Sequence, residues 1–123
     1  MFKAIHVYAV LAAICLAVMV YAQYFDAVKR VMEKGHAVPQ LFLGVMYANA
    51  ARNDTEAVRW YRLAAAQGSS QAQYNLGVMY AKGRGVAKNK AEALEWFHLA
   101  EENGHRGAKD TVKAYYKARY PWP

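Results

Sequence analysis

Apolar residues change their pattern once along this chain. From Val7 to Val20 nearly every residue is apolar, with Lys3 as a single cation ahead of the run. From about residue 24 onward, apolar positions recur at three- and four-residue steps, the spacing of one helix face. No stretch alternates with period two, so the chain reads as all-α. Phe25, Val28, Val31 and Met32 predict a helix over 24–34, stopped by Gly35. Pro39 suits the opening turn of a helix over about 38–50. Asn53 with Glu56 reads as a capping box that opens a helix over 54–66. Asn89 with Glu92 repeats that signal for a helix running to Glu102. Between them, Ser69 or Ser70 opens a helix over 71–82, and Gly83-Arg84-Gly85-Val86 allows a sharp reversal. A last helix spans 107–119, ahead of Pro121-Trp122-Pro123.

The helical part repeats itself. Leu43-Gly44-Val45-Met46-Tyr47 returns unchanged as Leu76-Gly77-Val78-Met79-Tyr80, 33 positions later. A second word follows each copy: Glu56-Ala57-Val58-Arg59-Trp60-Tyr61-Arg62-Leu63-Ala64, then Glu92-Ala93-Leu94-Glu95-Trp96-Phe97-His98-Leu99-Ala100. Each word is followed by a glycine, Gly68 or Gly104, eight residues after its tryptophan. A fixed period in this range marks a helical repeat array, whose units bury their apolar faces by stacking on neighbours. Gly44 and Gly77 then let paired helices approach closely. Leu43, Leu76, Tyr47 and Tyr80 fill each pair, while Trp60 and Trp96 act as wedges toward the next unit. Ala108, Val112 and Tyr116 match Ala72, Leu76 and Tyr80 at an offset of 36, but Lys113 replaces the interface glycine. The last helix therefore reads as a cap.

These words resemble the Sel-1-like repeats, short-loop relatives of the tetratricopeptide repeats. The second copy follows that family's pattern from Ala72, Leu76, Gly77 and Tyr80 through Gly83, Gly85 and Val86 to Ala93, Trp96, Phe97, Ala100 and Gly104. The first copy has Pro39 in place of the opening alanine and lacks the G-x-G-V loop. Its Tyr47-to-Trp60 spacing is three residues shorter than Tyr80 to Trp96, so its turn must be built differently. The resemblance covers about residues 36–116 and implies a short right-handed α-α superhelix, a solenoid of two helix-turn-helix repeats with flanking capping helices. The segments are then 1–22, a targeting segment; 23–35, an N-terminal capping helix; 36–69 and 70–105, the repeats; and 106–123, a basic capping helix with a Pro/Trp tail.

The length of 123 residues fits one domain. Lys3, the apolar run and Val20-Tyr21-Ala22 have the layout of a secretory signal peptide cut between Ala22 and Gln23. The alternative is an uncleaved anchor, since Ala4 to Ala22 approaches the length a spanning helix needs. Either places the repeats across a membrane from the cytoplasm. Cys15, the single cysteine, lies in the apolar run, so the remainder has no disulfide or cysteine metal site. Ile14 is too bulky before it for a lipoprotein site.

Candidate catalytic chemistry is sparse. His36 and His105 are one repeat position seen twice, with Ser69 in the copy between, so a shared metal site is not expected. His98 reads as partly buried or at the surface. Glu101 and Glu102 are adjacent and point apart on a helix, which excludes an acid/base pair. Gly83-x-Gly85 follows a helix where the repeat needs a turn, so it is not a phosphate loop. No cofactor is called for. A few cysteine-rich relatives have been linked to β-lactam binding or hydrolysis, but this chain lacks their cysteines and serine motif.

Two surfaces are candidates for binding. The formal charge is +7, and Arg106, Lys109, Lys113 and Lys117 share one face of the last helix. That stripe is either a solvated cap or a dock for acidic protein, anionic lipid or envelope polymer. Export argues against nucleic acid. In repeats of this kind the first helix of each pair lines the concave side. Its outward positions are Val38, Leu41, Val45 and Asn49, then Gln71, Tyr74, Val78 and Lys82. Nothing within either pair requires Leu41 or Tyr74 to be apolar, so these positions form a candidate peptide-binding patch; the alternative is that Phe25, Met32 or the Tyr120–Pro123 tail covers it. The resemblance implies protein–protein interaction, in an exported adaptor or regulator of a bacterial periplasm or in a membrane-tethered structural subunit.

Overall fold

The structure, a computed structural model, describes residues 1–120 and separates the chain into two units, Met1–Lys34 and a second that begins at Gly35. The described residues form six helices and no strand. They are α1 (Phe2–Glu33), α2 (Ala37–Asn49), α3 (Asp54–Ala66), α4 (Ser70–Lys82), α5 (Lys90–Glu102) and α6 (Arg106–Arg119).

The helix expected over 24–34 is present and ends before Gly35. In the full chain it is the last part of α1, which runs without a break through Ala22 and Gln23. No proline or glycine lies between Met1 and Lys34, so nothing stops the helix before Gly35. Its 32 residues make a rod about 48 Å long, against about 30 Å for a bilayer's hydrocarbon core. It carries no buried residue and is long and apolar enough to cross a membrane.

In the second unit the capping signals act as read. The Asn53 side chain accepts the Glu56 backbone N–H, and Asn89 does the same for Glu92. Ser69 accepts from Ala72. His105 fills the corresponding place at α6, its Nδ1 accepting the Ala108 N–H at 3.1 Å. His36 and His105, set aside as metal ligands, are thus the N-cap residues of α2 and α6.

α2 pairs with α3 and α4 with α5, while α3 on α4 and α5 on α6 join the pairs in series. The glycines of the five-residue words set the closeness of each pair. A Cβ on Gly44 would lie 2.5 Å from the Tyr61 ring, and one on Gly77 would lie 2.5 Å from the Phe97 ring. Leu76 and Trp60 are fully buried. Trp96 is half-buried and packs on the core shared between the repeats, the wedge role expected of it.

A buried amide completes each pair, which the repeat words did not reveal. Gln73 donates to the Ala65 carbonyl at 3.1 Å and accepts from Asn103 at 2.9 Å. Gln40, 33 residues earlier, accepts from Gln67 at 2.6 Å. Both glutamines are almost wholly buried, so their hydrogen bonds offset a desolvation cost that would otherwise oppose folding. Gln67 and Asn103 are the C-cap residues of α3 and α5, so each bond ties the start of a first helix to the end of its partner.

The two inter-helix turns differ in length but close with the same bond. Asn53 donates its N–H to the Tyr47 carbonyl at 2.8 Å, and Asn89 to the Tyr80 carbonyl at 2.9 Å. In the longer turn Gly83 and Gly85 hold φ near +67° and +68°; in the shorter one Arg52 takes φ +48°. Arg52 thus adopts the left-handed geometry normally left to glycine, which costs about 1–2 kcal/mol of local strain.

Candidate protein-binding groove

The G-x-G-V turn of the second repeat lies on the first. Arg84 grips Asp54 with two parallel bonds, Nη2 to Oδ1 at 2.7 Å and Nε to Oδ2 at 3.2 Å. Asp54 in turn raises the Arg84 guanidinium above its ordinary value. Gly85 sits so close that an added Cβ would strike the Asp54 carbonyl. Val86 packs with Trp96 on the core made by Ala57, Val58, Tyr61 and Met79. Burial there raises the Tyr61 phenol, despite its hydrogen bond to Asn75.

One repeat later the equivalent space is open. A groove of about 540 Å³ runs between α4, α5 and α6. Its floor is apolar: Tyr74, Val78 and Ala81 from α4, Ala93, Leu94 and Phe97 from α5, and Tyr115 and Ala118 from α6, with Thr111 beside them. Lys82, Lys90 and Arg119 line it as well, and among the described residues no carboxylate does. Tyr74 is held firmly, stacked on His105 with centroids 4.3 Å apart and tilted against Phe97 at 5.3 Å.

The candidate patch read from sequence divides between two environments. Tyr74, Val78 and Lys82 line this groove. Leu41 and Val45 instead pack on the core formed with Ala72, Leu76 and Met79. The view that Leu41 and Tyr74 point freely outward is therefore corrected. In a stacked array those positions face the first helix of the following unit: α4 for Leu41, α6 for Tyr74. Val38 and Asn49 are exposed, as is Gln71, whose amide bonds Asn75 and His105. The structure gathers none of those three into the groove.

Arg106, Lys109, Lys113 and Lys117 are all exposed along α6, outside the groove, and the Pro121–Pro123 tail lies outside the described residues. His98 is partly buried, 3.3 Å from the Tyr116 hydroxyl. Sequence reasoning missed the α5 wall and Arg119. Lys90 had a readable signal, since it occupies the place of Asp54 36 residues on.

The Sel1 repeat model matches residues 40–69 and 70–105, together more than half of the chain. The chain belongs to the Sel1 repeat family. Among solved structures it is similar to c5321, a protective antigen of uropathogenic Escherichia coli with an SLR fold, at 40% identity and TM-score 0.67. That match covers 78% of this chain and 21% of the antigen. A Sel1 repeat protein from Oxalobacter formigenes is 34% identical, TM-score 0.66, with 79% and 75% of the two chains covered. Among curated proteins, DAP3-binding cell death enhancer 1 of Rattus norvegicus is 30% identical over 96 residues, covering 77% of this chain and 19% of the relative. The Mus musculus protein matches equally. The chain spans about a fifth of the length of those curated relatives. Its second unit is an all-α solenoid, and Sel1 repeat proteins generally mediate protein–protein interaction.

Proposed function

We propose that this chain is a non-catalytic docking module of the cell envelope, an adaptor or regulator whose protein partner binds in the groove between α4, α5 and α6. The groove carries the reading: an apolar floor of about 540 Å³ edged by Lys82, Lys90 and Arg119 has the form of a recognition site. The rat and mouse relatives, named for binding another protein, match 77% of this chain, which supports a binding role. Placement in the envelope rests on α1, which acts either as an export signal or as a tether.

A photo-crosslinking side chain placed at Val78 of the full chain, in its cells of origin, tests the docking site. The expected result is one dominant adduct, absent when the crosslinker is moved to Lys109 on the outer face of α6. Adducts from Lys109 and none from Val78 would shift the site to the basic stripe. Terminal sequencing separates the two roles of α1: Gln23 as first residue means a signal, whereas retention of residues 1–22 in the membrane fraction means a tethered subunit. Full-length chain in the cytosol would refute export.

A further inference from the structure

The geometry points to an acidic segment of a partner protein as the groove's occupant, with a bulky apolar side chain on the floor and a carboxylate at Lys90. This rests on the docking reading above and adds the partner's chemistry. The warrant is internal to the molecule, because the same positions occur twice and in the first copy Val86 and Trp96 pack with them. Tyr74, Val78 and Ala81 stand where Leu41, Val45 and Ala48 stand one repeat earlier. Ala93, Leu94 and Phe97 likewise correspond to Ala57, Val58 and Tyr61. Those six earlier residues form or pack on a core on which Val86 and Trp96 also pack. The later six form or pack on a core with Val112, and all six also line the groove. The apolar floor of the later unit is thus built for an equivalent cover.

The charge at its edge is reversed. Asp54, the first residue of α3, holds Arg84 of the covering turn in a bidentate pair. Its counterpart, the first residue of α5, is Lys90. A segment seated like Gly83–Val86 must therefore bring an apolar group in the place of Val86 and an anion in the place of Arg84. Lys82 and Arg119 strengthen the demand for negative charge, since no carboxylate among the described residues lines the groove with them. The same cations weigh against a second copy of this chain, which carries a net charge of +7.

Fluorescently labelled peptides spanning residues 83–102 supply the probe, because that stretch carries both Val86 and Trp96. One peptide keeps Arg84 and the other carries Arg84→Glu. Binding to the full chain in detergent micelles is read by fluorescence anisotropy. The Arg84→Glu peptide is expected to bind at least about tenfold more tightly, and added salt to weaken it. Lys90→Asp in the protein should invert that preference, and Leu94→Asp should remove binding of both peptides while far-ultraviolet circular dichroism stays unchanged. Equal affinities, no binding by either peptide, or indifference to Lys90→Asp would overturn the proposal. Binding that emerges only after removal of residues 121–123 would overturn it in favour of the chain's own terminus. A dimer dissociated by Leu94→Asp would overturn it in favour of self-association. An adduct at Val78 that persists when the peptide test fails leaves the docking site in place and removes only the acidic chemistry.

Discussion

Gly77→Ala puts the repeat's closest approach to the test. In a helix interior this exchange ordinarily stabilises by about 1 kcal/mol, since alanine has the higher propensity. Here the added Cβ would lie 2.5 and 2.6 Å from two carbons of the Phe97 ring and 3.0 Å from a third. Carbon atoms rest at about 3.5–4.0 Å, so about 1 Å of overlap must be relieved. Tyr74 lies against the ring, with His105 stacked behind it, so Phe97, 7% exposed, can yield only toward the groove and at the expense of its packing on Tyr74. An overlap of about 1 Å puts the cost in the upper part of the overpacking range, about 2–3 kcal/mol, which outweighs the propensity gain and leaves a net loss of about 1–2 kcal/mol. For a unit of this size the melting temperature should fall by about 5–15 °C, followed on the full chain by circular dichroism. Gly107→Ala is the control, since its Cβ would meet only the His105 ring, at 3.3 Å, and little or no loss is expected. Phe97→Leu should make room, so the double variant should fall short of additivity by about 1 kcal/mol. A Gly77→Ala protein melting at or above wild type would refute the close-packing account, as would additivity with Phe97→Leu.

Trp60→Ala should cost about 3–5 kcal/mol, because the ring is fully buried, and half-buried Trp96→Ala clearly less; urea midpoints rank them, and the reverse order would contradict the burial seen. Gln73→Leu should cost about 1–3 kcal/mol in the same assay by leaving the Ala65 carbonyl and the Asn103 amide without their partner. Gly85→Ala combines left-handed backbone with a clash on Asp54, and about 2–3 kcal/mol of lost stability is expected from its thermal melt. Arg84→Ala removes a partly exposed ion pair and should cost only about 0.5–1 kcal/mol, less at high salt.

The sequence alone determined the helices of the second unit, their pairing and the close-contact glycines. Asn53, Ser69 and Asn89 cap through bonds to residues three positions away, so their effect is local and legible. The repeat words then identified which face of each helix is buried, because stacked units must present the same face in turn. Tertiary structure decided the rest. Leu41 and Tyr74 look free when only their own helix pair is considered; the contact that covers each comes from the following unit, 31 or more residues away in the chain. The Gln40–Gln67 and Gln73–Asn103 bonds join residues 27 and 30 positions apart, and no local rule selects an amide for a buried site. The groove arises in the same way. Its floor repeats positions that are core one unit earlier, and among the described residues no turn lies on Lys90 as Arg84 lies on Asp54. Whether an apolar face is core or binding surface depends on what stacks against it, and that is a property of the assembled array.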